Sequence, residues 1–84
     1  MKYYCDRHQG VEAQSASEAA HIIAQRKARS EFGGAGLVGA CRVDGQSEDG
    51  KYSECEAFIG YQASRAKSDH SISGRNVRFS LHLK

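Results

Sequence analysis

Over the last nine residues, apolar and polar side chains alternate without a break. Val77, Phe79, Leu81 and Leu83 take one set of positions, and Asn76, Arg78, Ser80, His82 and Lys84 take the other. A period of two puts each set on its own side of a pleated strand, so residues 76–84 predict a strand with one side against a core. Residues 51–59 (KYSECEAFI) alternate in the same way, and residues 37–43 (LVGACRV) are apolar enough for a central strand close to buried. The polar stretch between them, residues 44–50 (DGQSEDG), has a glycine near each end and predicts a hairpin with a long loop. At the start of the chain, residues 2–7 (KYYCDR) predict a short aromatic strand. Gly10 permits a turn or bulge there, and residues 11–13 (VEA) extend the strand beyond it.

The period changes after Gln14. Ser15-Ala16-Ser17-Glu18 has the spacing of a capping box, in which the Ser15 hydroxyl accepts from the Glu18 amide and the Glu18 carboxylate accepts from the Ser15 amide. Helical spacing then gathers Ala16, Ala19, Ala20, Ile23 and Lys27 on one stripe, with Glu18, His21, Gln25 and Arg29 opposite, and predicts a helix over residues 16–30. The alanines let the helix axis lie close to whatever it covers. Lys27, at the end of the stripe, can bury its stem and lift its ammonium into water. Arg26, Lys27 and Arg29 suit the negative end of the helix dipole, and Gly33-Gly34 supplies the stop. Residues 60–75 (GYQASRAKSDHSISGR) show no periodicity and predict a loop of a length that usually carries function.

The order β-α-β-β-β predicts a single α+β domain spanning residues 1–84, with one helix packed on a mainly antiparallel sheet of about four strands. Its expected core is Tyr3, Cys5, Ala16, Ala20, Ile23, Leu37, Cys41, Val43, Cys55, Ala57, Ile59, Phe79 and Leu81. The other sheet face would then stay open, a natural docking surface.

Composition narrows this picture. A chain of 84 residues has room for one core and no large cleft, and 39% hydrophobic against 26% charged residues excludes a disordered chain. The mean hydropathy is −0.63, and there is neither a membrane-length apolar run nor a signal-peptide pattern at the start, so a cytoplasmic location is expected. Cys5, Cys41 and Cys55 are an odd number and fit free thiols in a reducing compartment. Cys5 and His8 have ligand spacing, but no second compact pair follows, so neither a metal site nor a cofactor is expected.

Charge is nearly balanced overall, at +2, but is unevenly placed. Residues 44–56 carry Asp44, Glu48, Asp49, Glu54 and Glu56 against Lys51, a net of −4. Residues 57–84 carry Arg65, Lys67, Arg75, Arg78 and Lys84 against Asp69, a net of +4. One reading is electrostatic steering of a protein partner; another is two neighbouring strands that neutralise each other.

The candidate chemistry is thin. Gly33, Gly34 and Gly36 lead into a strand, whereas phosphate-cradling loops precede a helix, so nucleotide binding is disfavoured. Arg65, Lys67, Arg75 and Arg78, with Tyr61 upstream, could contact phosphates. By parity Tyr4, Tyr52 and Phe58 could stack bases on the open sheet face, although Glu54 and Glu56 share that face and repel phosphate. His82 beside Arg78, meeting His8 just after the first strand, would be the kernel of a metal-free nuclease.

A short strand, then residues 11–20 (VEAQSASEAA) leading into one helix, then a run of antiparallel strands, resembles several compact anti-CRISPR proteins of phages and mobile elements. The resemblance covers roughly the first two thirds of the chain and is one of layout. It implies a non-enzymatic inhibitor in the cytoplasm of a bacterial host, binding an effector subunit of a type I CRISPR–Cas surveillance complex and blocking target DNA. The residues themselves nominate the contact. Asp44, Glu48, Asp49, Glu54 and Glu56, on one hairpin, can meet a Lys- and Arg-lined DNA channel as phosphates would. A small nucleic-acid-binding module and a small nuclease are the alternatives. A homodimer through an open sheet edge is compatible with any of the three.

Overall fold

A computed structural model describes residues 1–5, 10–61 and 73–83. The elements are β1 (Lys2–Tyr4), β2 (Val11–Glu12), α1 (Ala16–Phe32), a single 3₁₀ turn (Gly33–Ala35), β3 (Leu37–Gln46), β4 (Tyr52–Tyr61) and β5 (Ser73–Leu83). They form an α+β domain in which the helix covers one face of a five-stranded sheet of order β2-β1-β5-β4-β3. Every strand pair is antiparallel.

The fifth strand comes from residues 11–12. They do not continue the first strand; the chain reverses, so that Val11 pairs with Tyr3 and Glu12 with Lys2. The extended partner of β1 on its other side is the end of β5, where Tyr3 faces Leu83 and Tyr4 faces His82. The central hairpin is longer than alternation alone predicts, with β4 and β5 in unbroken register from Tyr52↔His82 to Tyr61↔Ser73.

The helix starts where the cap spacing puts it. Ser15 is the N-cap, and its hydroxyl accepts from the Glu18 amide at 3.1 Å; the reciprocal bond from the Ser15 amide does not form among the described residues. Gly33 closes the helix at φ 65°, a left-handed value that favours glycine, and its N–H donates to the Arg29 carbonyl. The helix runs two residues beyond the expected Ser30, and Phe32 reaches the Tyr61 ring at 5.3 Å between centroids.

Ala16, Ala19, Ala20, Ile23, Ala24 and Ala28 are buried against the sheet, which is why the helix can sit so near β3 and β4. Opposite them lie Cys55, Ala57, Ile59, Phe79 and Leu81, with Tyr3, Cys5, Val11 and Ala13 closing one end. Lys27 behaves as an amphipathic side chain should: it is half-buried, with its ammonium 5.6 Å from the Phe79 ring centroid.

Strand β3 departs most from expectation. Val38 pairs with Ile59 and Cys41 with Ala57, so the segment between them holds one residue more on β3 than on β4. This bulge reverses the side-chain parity, because a one-residue slip exchanges the faces. Val38 therefore turns toward the helix, and Leu37, expected in the core, is 42% exposed. Cys41 and Val43 pack against the core but are only half-buried, because β3 is the sheet edge and has no strand beyond it among the described residues.

Candidate functional site

With the helix on one face, the even-numbered residues of β4 and β5 form the other. No described helix or strand covers it. Its side chains fall in rows across the strands, because partners in an antiparallel register share a face.

The first row is aromatic. Tyr4, His82 and Tyr52 lie side by side on β1, β5 and β4, with ring centroids 6.2 Å apart for Tyr4–His82 and 5.7 Å for Tyr52–His82. Tyr52 stands at the outside of the row and is 59% exposed. The next row pairs Ser80 with Glu54, the hydroxyl donating to the carboxylate at 2.9 Å.

The third row carries a closed ring of four charges. Glu56 sits between Arg42 on β3 and Arg78 on β5. A second β3 bulge, between Val43 and Gly45, leaves Asp44 as the extra residue beside them. Arg42 reaches Asp44 at 2.6 Å and Glu56 at 2.8 Å; Arg78 reaches the same two carboxylates at 2.8 Å and 3.4 Å. Those carboxylates hold Arg78 firmly charged, chiefly through the hydrogen bond to Asp44. Beyond this ring Phe58, half-buried, lies over Gly39, whose missing side chain leaves it room: a Cβ there would come within 3.3 Å of the Phe58 ring.

The acidic hairpin is thus drawn together, but most of its carboxylates already have work inside the molecule. Asp44 and Glu56 belong to the charge ring, and Glu54 holds Ser80. Asp49 builds the turn: it accepts from the Ser47 hydroxyl at 2.6 Å and from the Lys51 amide at 3.0 Å. These two donors, the hydroxyl first, pull its pKa below the ordinary carboxylate value. Glu48, exposed beside that turn, remains without an internal partner among the described residues. The local excess of acid over base therefore reflects in large part cross-strand neutralisation by Arg42 and Arg78.

The basic set fares differently. Arg75 lies on the helix side of β5 and bonds Glu31 at the end of α1, whereas Arg78 lies on the open face. The structure does not bring the two onto one surface, and Arg65 and Lys67 lie outside the described residues. His82 and Arg78 share a face but stand four residues apart, about 13 Å along the strand. His82 is instead flanked by two tyrosines, and His8 lies outside the described residues.

The thiols are interior groups. Cys5 and Cys55 are buried and Cys41 is half-buried, and none of the three is in a disulfide. Burial pushes the Cys41 thiol up, and burial first, with neighbouring thiolates and carboxylates second, pushes Cys55 to about 12. Such thiols stay protonated near neutrality and are poor nucleophiles. Among the described residues no group of three or more His, Cys, Asp or Glu could hold a metal ion, and no helix is long and apolar enough to cross a membrane. No family model matches the chain, and neither a curated protein nor a solved structure matches it.

Parity along β1 and β4 made Tyr4, Tyr52 and Phe58 legible as open-face residues, and the first two of these belong to the aromatic row. His82 as its centre, and Arg42 as a member of the charge ring, were missed. The signal for His82 was its place in the alternation of residues 76–84; Arg42 had none, since its partners depend on strand order.

Proposed function

We propose that this chain is a non-enzymatic protein-binding inhibitor that docks by the open face of its sheet. The observation that carries the docking reading is the content of that face: Tyr4, Tyr52, His82 and Phe58 around a charge ring that sums to zero, with no described element over it. Tyrosine and arginine are the side chains that most often anchor protein interfaces, and balanced charge suits a protein surface better than a polyanion. The target, a type I CRISPR–Cas surveillance complex whose capture of DNA is blocked, rests on the resemblance in layout. Glu48 is the carboxylate of the hairpin best placed to meet a basic channel, and Glu54 can turn from Ser80 to do the same.

The aromatic row supports a second reading, single-stranded nucleic acid stacked on Tyr52, against which Asp44, Glu54 and Glu56 stand on the same face. One experiment separates the two. The protein is added to a purified type I complex before labelled target DNA, and separately titrated against single-stranded DNA and RNA at low and high salt. Inhibition of DNA capture that Tyr52→Ala weakens at least tenfold, and Glu48→Lys/Glu54→Lys weakens further, supports the inhibitor. Undisturbed DNA capture overturns that target. Direct binding to the single strand that fades with salt and with Tyr52→Ala replaces the inhibitor by the second reading.

A further inference from the structure

The second surface of interest lies at the edge of the sheet. Strand β3 is an outer strand ten residues long, and its far side has no strand partner among the described residues. The chain returns directly from α1 into β3, so the two run antiparallel and leave a groove between them. At the Leu37 end this groove measures about 480 Å³, and its walls include His21, Ile22, Arg26 and Arg29 from the helix and Leu37 and Val38 from the strand. The groove continues past Glu18 and Cys41 toward Asp44 at the far end.

We propose that this groove receives an extended acidic segment of a partner protein, which adds to the edge of β3 as a further strand. An edge strand offers unpaired backbone donors and acceptors, and a helix beside it supplies a wall into which alternate side chains of the added strand can point. Leu37 and Ile22 provide apolar contact, and the exposure of Leu37 becomes burial on binding. Charge selects the occupant. At the Leu37 end Arg29 and His21 stand on the wall, and no carboxylate lines it among the described residues. Acidic side chains of the incoming strand therefore belong beside Val38 and Arg29, and its neutral end beside Asp44. A second copy of this chain fits less well. Two copies paired edge to edge would have to match two bulges on each side, whereas an incoming partner strand meets only the one set.

This site is separate from the open face, and the test keeps them apart. A random twelve-residue peptide library displayed on phage is panned against the full chain at low salt, and the best sequence is synthesised with a fluorescent label. The expected winners alternate Asp or Glu with Val, Ile or Thr. Their binding should fall at least tenfold with Arg29→Glu, recover in part with Arg29→Gln, fall with N-methylation of alternate peptide amides, and stay unchanged with Tyr52→Ala. Amide resonances of residues 37–43 should shift on binding. The proposal is overturned if no acidic sequence is enriched, if Arg29→Glu leaves affinity intact in a chain that still unfolds cooperatively, or if the shifts map to Tyr52 and His82. It is also overturned if sedimentation shows a β3-mediated dimer that the peptide cannot dissociate.

Discussion

On the helix side of β4, Ser53, Cys55, Ala57 and Ile59 are all exposed by 2% or less, while their alternating neighbours Tyr52, Glu54, Glu56 and Phe58 keep contact with solvent. The same backbone thus serves two environments with opposite demands. Under the helix the side chains are small, since the alanines of α1 approach the sheet closely and leave little depth to fill. On the open face they are large and polar at their tips, held by rings and charges lying across the strands. Burial stabilises the first face through area removed from water, roughly 25 cal/mol per Å² of apolar surface. The second face has only contacts that water competes with, and exposed ion pairs contribute little to stability. One face keeps the domain folded; the other is left uncovered by any described helix or strand.

The sharpest way to break this comparison is to truncate adjacent residues of β4. Ile59→Ala should lose about 2–5 kcal/mol, as large-to-small changes in a closed core do, and Phe58→Ala should lose clearly less in urea unfolding. Equal losses would mean that the open face is a second core, covered in solution by something the fold does not show.

A smaller effect separates the faces by pH. The Cys55 thiol is raised to about 12 in the folded protein, above its ordinary value in the unfolded chain. A raised value means that the folded form keeps its proton while the unfolded form loses it. The contribution is therefore complete below about pH 9 and is lost progressively as pH climbs toward 12. Urea midpoints of the wild type and Cys55→Ala, compared from neutral to alkaline pH, should converge as pH rises. Parallel curves would place the thiol in contact with water.

The smallest effect belongs to the charge ring. Arg42→Ala should shift the unfolding midpoint by much less than Ile59→Ala, and molar salt should erase most of the difference, because the Arg42 side chain is 67% exposed. A salt-resistant loss as large as that of Ile59→Ala would show the ring to be a structural keystone, contrary to the division drawn here.

Much of the fold could be read from local pattern. The capping serine, the alanine stripe and the glycine stop located α1, and strict alternation located the helix-facing residues Cys55, Ala57, Ile59, Phe79 and Leu81. The candidate site was less legible. Its carboxylates were identifiable as a group, yet whether they were free or neutralised depended on which strand lay beside which. Arg78 is 34 residues from Asp44 and 22 from Glu56.

The amino-acid order by itself determined the elements, because hydrogen-bonded turns, caps and the two-residue pleat depend on neighbours within a few positions. Tertiary structure alone decided the bulges of β3, the reversal that makes β2 a separate strand, and the strand order that sets Glu56 between two arginines. The reason is one of range. Parity along a strand persists only until an extra residue is inserted, and that insertion is selected by packing against α1 and β4, which no local window contains.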